Sequence, residues 1–101
     1  MSIKVVRSEE HECDKGAVAE MRSFAKDFES LASKKFKKSD IYIVVHGNTS
    51  NNGYYVDCTL LNDNKYESNF YSIEYDIKKL AGKYHCDCHF DDRTNVFFRF
   101  D

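Results

Sequence analysis

The sequence predicts an α+β domain: an antiparallel sheet of about five or six strands with two helices on one face, in the order β-α-β-β-β-α-β-β. Three observations carry that reading. A long helical stripe of apolar residues occupies the first third of the chain. A second, shorter one sits between Ser72 and Gly82. The remaining apolar residues alternate with polar ones in short runs separated by turn-forming residues.

Ile3-Lys4-Val5-Val6 is a short strand by composition. From Asp14 to about Phe36, Val18, Met21, Phe24, Ala25, Phe28, Leu31, Ala32 and Phe36 recur at helical spacing, and charged residues fill the other positions. Asp14 suits the N-cap. The run Lys34-Lys35-Phe36-Lys37-Lys38 sets positive charge at the negative end of the helix, which accounts for it without a phosphate ligand. Ile41 to His46 is apolar on both faces, as in a central strand. After a polar loop with Gly47 and Gly53, Tyr54, Val56, Cys58 and Leu60 face one way, and Tyr55, Asp57 and Thr59 the other. Asn62 to Lys65 reads as a hairpin turn and Tyr66 to Tyr71 as a weaker strand. Ser72 caps a helix bearing Ile73, Ile77, Leu80 and Ala81, with Gly82 at its C′ position. Tyr84 to Phe90 alternates, Asp91 to Thr94 turns, and Val96 to Phe100 ends the chain as a strand.

The 101 residues suffice for one core, so residues 1–101 are expected to form a single globular domain. No apolar run approaches the ~20 residues of a membrane span, and no signal-peptide h-region follows Met1. A cytoplasmic location is therefore expected, with Cys13, Cys58, Cys86 and Cys88 as thiols. The charges nearly cancel, to a formal −2, which argues against a nucleic-acid partner and against a disordered charged tail. Pro and Trp are absent, and Lys, Asn, Asp, Ile, Tyr and Phe abound. Such usage reflects AT-rich coding, frequent in phages and mobile elements.

His85-Cys86-Asp87-Cys88-His89 contains zinc-ligating residue types. On one strand, however, His85 and His89 would stand roughly 13 Å apart, too far to share an ion, and Cys86 and Cys88 would point into the core. No metal and no cofactor is expected. The glycines form no phosphate-binding pattern. Cys13 and His11 lack a third group that would make them a catalytic pair.

The helices cover one sheet face. The other is expected to hold Tyr42, Val44, Tyr55, Asp57, Thr59, Tyr71, His85, Asp87, His89, Phe97 and Arg99, a mixture of aromatics and scattered charges of the kind that interfaces favour. The expected contact residues are Tyr42, Tyr55, Asp57, Tyr71, Phe97 and Arg99. The function these features favour is that of a small non-catalytic protein-binding inhibitor acting by stoichiometric occlusion of a protein target. A phage- or mobile-element anti-defence protein, of anti-CRISPR or anti-restriction type, is the leading case. A toxin-immunity protein is the alternative of the same binding type, and a homodimer through this face is a further option. The alternative from another class is a metal-site or small enzyme domain using His85, Asp87 and His89, with His46.

Overall fold

The stripe on the first helix decides which sheet face is buried. In this computed structural model, which describes residues 3–7, 15–49 and 53–100, the chain runs β1 (Ile3–Arg7), α1 (Lys15–Ala32), β2 (Ile41–Thr49), β3 (Gly53–Leu60), α2 (Glu74–Lys83), β4 (Asp87–Asp92) and β5 (Asn95–Arg99). Val18, Met21, Phe24, Ala25, Phe28 and Ala32 are buried, and they repeat every three or four residues along α1. They pack on Ile41, Ile43 and Val45 of β2, Val56, Cys58 and Leu60 of β3, and Val96 and Phe98 of β5. Five phenylalanines tie this cluster together. The Phe24 ring centroid lies 4.5 Å from that of Phe98. Phe28 meets Phe98 at 5.7 Å and Phe70 at 5.6 Å, and Phe36 meets Phe70 at 5.9 Å. Among the described residues no helix is long and apolar enough to cross a membrane.

The α+β class and the two helices stand as expected, but four details differ. The sheet is mixed. Its order is β1-β2-β3-β5-β4, with β2, β3, β5 and β4 antiparallel and β1 parallel to β2. The long α1 crossover carries the chain back to the starting end of the sheet, and a strand entered from that end runs parallel to the one before it. Second, Tyr66 to Tyr71 is not a strand, so the element order is β-α-β-β-α-β-β. Phe70 leaves the sheet direction to enter the core between Phe28 and Phe36, and this burial outweighs the β-propensity of its neighbours. The chain around it turns twice in 3-10 geometry, at Asp63–Lys65 and Phe70–Ile73. The second turn is capped by Asn69, whose side chain accepts the Tyr71 N–H at 3.0 Å. Third, α1 ends at Ala32. Phe36 is reached through a turn in which its N–H donates to the Ala32 carbonyl. The expected cap at Asp14 lies outside the described residues, as do His11 and Cys13.

Fourth, α2 passes Gly82 and ends later. His85 takes the left-handed conformation, φ 56°, at the C′ position. Its N–H donates to the Gly82 carbonyl and the Cys86 N–H to the Ala81 carbonyl, the paired bonds of a Schellman cap. The following strand therefore starts at Asp87, not Tyr84.

A buried carboxylate anchors the segment that carries Phe70. Asp40 is 3% exposed. It accepts hydrogen bonds from the Tyr66 hydroxyl and from Asn62 Nδ2 at 2.9 Å, and Lys65 Nζ lies 2.7 Å away. These partners, Lys65 first, hold its carboxyl far below the usual range. The Asp40 carbonyl accepts the Leu61 N–H at 2.7 Å, so both ends of the residue tie the entry of β2 to the exit of β3.

Two outcomes test this architecture. Phe28→Ala should cost about 3–5 kcal/mol and lower the melting midpoint by more than about 10 °C; a melt near the wild-type midpoint would remove α1 from the core. His85→Gly should raise the midpoint, because relief of the left-handed backbone exceeds the added entropy of glycine in the unfolded chain by up to about 1 kcal/mol. His85→Ala keeps the Cβ and should gain nothing. Equal melts for the two variants would show that the backbone at this position carries no strain.

Candidate binding face

Residues that alternate with the core positions of four strands emerge on the face without helices. Register sets them in rows. His46 of β2 lies opposite Tyr55 of β3, Tyr55 opposite Arg99 of β5, and Arg99 opposite Asp87 of β4. The next row runs Val44, Asp57, Phe97 and His89, and the third Tyr42, Thr59 and Asn95. Two ring pairs form along these rows. His46 stacks on Tyr55 with centroids 4.0 Å apart, and His89 on Phe97 at 5.0 Å. Between them lies an open hollow of about 410 Å³, lined by Tyr55, Asp57, His89, Asp91, Asn95, Phe97 and Arg99.

Asn95 organises the floor of the hollow. Its Nδ2 reaches Asp57 Oδ1 at 2.7 Å, Thr59 Oγ1 at 3.1 Å and the Cys58 carbonyl at 3.2 Å. Asp91, near the end of β4, also lines the hollow, and the turn that follows is fixed by its neighbour Asp92. Asp92 Oδ1 accepts the Thr94 N–H at 2.7 Å and the Thr94 hydroxyl at 2.8 Å, which keeps the Asp92 carboxyl below its ordinary range. Burial is the larger influence on His46 and pushes its imidazole below the usual value, partly opposed by the Asp57 charge. His46 Nδ1 is buried, with no hydrogen-bond partner among the described residues. A neutral ring suits that position, because a charged one would carry a buried, unpaired donor.

Four of the six expected contact residues, Tyr55, Asp57, Phe97 and Arg99, come together in the hollow. Tyr42 shares the face one row away and is 40% exposed. Tyr71 does not lie on this face. It sits in the 3-10 turn and stacks on Phe90 at 5.0 Å, and Phe90 alternates with His89 and so belongs to the helix side. His85 is also absent from the face, because the helix cap holds it off the strand. The roughly 13 Å spacing expected for His85 and His89 on one strand thus has no strand beneath it. Among the described residues, no group of three or more His, Cys, Asp or Glu side chains is placed to hold a metal ion.

Cys58, Cys86 and Cys88 are free thiols on the helix side. Burial raises all three, Cys86 to about 12 and Cys88 to about 11, which favours the protonated thiol at neutral pH. Sequence reasoning missed Asn95, and it placed neither His46 nor Asp91 on this face. The alternation of β2 would have revealed His46, since it falls in phase with Tyr42 and Val44. Asn95 and Asp91 depend on where the β4–β5 hairpin turns. The chain matches no family model, and no curated protein or solved structure matches it.

The His46 environment has a pH consequence. A histidine whose folded value is lowered binds fewer protons folded than unfolded as pH drops through about 6.5. Stability from this residue is thus complete above that value and is lost toward the lower folded value. The melting midpoint should fall between pH 7 and pH 5 by more in the wild type than in His46→Phe, which keeps the stack on Tyr55. Parallel midpoint curves for the two proteins would show that His46 is not the responsible group.

Proposed function

We propose that this chain is a non-catalytic, stoichiometric protein-binding inhibitor, which lays its helix-free sheet face on a target protein and acts by occlusion. The observation that carries this reading is the convergence of Tyr55, Phe97 and Arg99 with Asp57 in one hollow, on the sheet face opposite the two described helices. Tyr and Arg are the side chains most often found at the energetic centre of interfaces, with a polar rim around them. The stacked pairs hold His46, Tyr55, His89 and Phe97 in fixed orientations, so little side-chain entropy is lost on docking. Within this class, the residue usage favours an anti-defence protein of a phage or mobile element, of anti-CRISPR or anti-restriction type, acting in the cytoplasm.

Inhibition by occlusion saturates at a fixed ratio of inhibitor to target and does not turn over. Truncating an anchor at the centre of an interface costs 2 kcal/mol or more, about thirtyfold in affinity. Tyr55→Ala, Phe97→Ala and Arg99→Ala should each weaken titrated binding to a partner captured by the wild-type protein by about that factor. Loss of the cross-strand pairs should cost the fold only about 0.2–1 kcal/mol. Partner affinity that survives all three changes would remove the binding role from this face.

A further inference from the structure

Among the described residues, the strand β4 closes one side of the sheet and pairs with β5 alone. An edge of this kind presents backbone donors and acceptors to any extended chain that comes alongside. Its side chains divide by alternation. Asp87, His89 and Asp91 are exposed on the helix-free side, and Cys88 and Phe90 are half-buried on the helix side. Neither Asp87 nor Asp91 takes part in an ion pair among the described residues. Beside Phe90, the stacked Tyr71 ring is 48% exposed and extends the apolar side of the edge.

The charges on this edge select what can pair with it. A second copy of β4 laid antiparallel about His89 would put Asp87 of each chain opposite Asp91 of the other. Laid parallel in register, it would stack aspartate on aspartate. Like charges directly opposite each other oppose pairing, so the edge rejects itself. The register of β4 on β5 shifts between Phe90 and Asp92, so regular pairing along this strand covers Asp87–Phe90. A strand with Lys or Arg at the two positions facing Asp87 and Asp91 would meet opposite charges at cross-strand distance. Apolar residues at the intervening positions would meet Cys88, Phe90 and Tyr71.

We propose that β4 is a docking edge for a partner's extended segment of alternating basic and apolar residues, which joins the sheet as an added strand. This rests on the reading of the chain as a protein-binding module and deepens it. His89 and Asp91 belong both to the edge and to the hollow, so a segment on β4 delivers its basic side chains to the rim of the aromatic face.

The test uses the whole chain with two short, end-blocked peptides, one alternating lysine and valine, the other glutamate and valine. Amide hydrogen exchange and backbone chemical shifts are followed. The lysine peptide should slow exchange at the amides of Asp87–Phe90 and bind more weakly as salt rises, and the glutamate peptide should do neither. The double change Asp87→Lys with Asp91→Lys should weaken the lysine peptide at least about tenfold and turn the preference toward the glutamate peptide. Both sites are exposed, and a retained melting midpoint confirms that the variant is folded. Unchanged β4 exchange at saturating lysine peptide, equal binding of both peptides, or a preference unmoved by the charge reversal would each overturn the proposal. If β4 is protected while partner binding ignores Tyr55→Ala and Phe97→Ala, the edge stands and the face reading falls. The opposite pattern leaves the face and removes the edge.

Discussion

Phe24 and Phe28 stand one turn apart on α1, and both rings meet Phe98 of β5. This contact joins the first helix to the last strand, and the remaining packing is arranged around it. It sets α1 across the middle of the sheet, so Ile43, Val45, Val56, Cys58 and Val96 are sealed on the same side. Phe28 also receives Phe70, which ends any strand character in the segment after β3. Burying an aromatic of this size stabilises by about 1.5–3 kcal/mol, more than a short edge strand of the same residues offers through propensity. Because both helices lie on the Phe24 side, no described helix covers the other sheet face, and the candidate binding surface exists for that reason.

Two polar ties hold the helical layer in place. The Tyr84 hydroxyl at the end of α2 donates to Asp27 of α1 at 2.6 Å and lies 3.0 Å from the Ser23 hydroxyl. At the other end, Asp40 gathers Asn62, Lys65 and Tyr66, and the Tyr66 hydroxyl in turn accepts the Lys37 N–H. Removing Lys65 would leave the buried Asp40 carboxylate without its opposite charge, and losing Asn62 or Tyr66 would leave it short of a donor. The chain between β3 and α2 contains no proline, and it takes its course from these bonds and from the burial of Phe70.

Much of the candidate binding face was legible in the sequence, because alternation along a strand is a local property. Tyr55, Asp57, Phe97 and Arg99 were assigned to the exposed side by phase alone, and the register keeps them there. Tyr71 and His85 were misplaced for a different reason. Each lies where a strand was expected and a turn or cap occurs. Phe70 enters the core next to Tyr71, and the Schellman bonds hold His85 at positive φ. Histidine is an uncommon residue at that backbone position, and Gly82 nearby carried the stronger local signal for a helix end.

By itself, the sequence determined the class of fold, the apolar stripe of α1, and which residues of β2, β3 and β5 point toward the core. These follow from periods of 3.6 and 2 residues, which the backbone imposes wherever a helix or strand forms. Tertiary structure alone decided that β5 lies between β3 and β4, so that Asp57, Phe97 and His89 share one row and Asn95 reaches Asp57. It also decided that β1 pairs in parallel and that β4 is left at the edge. Strand order depends on which buried surfaces fit together across long separations in sequence, and no local period records that fit.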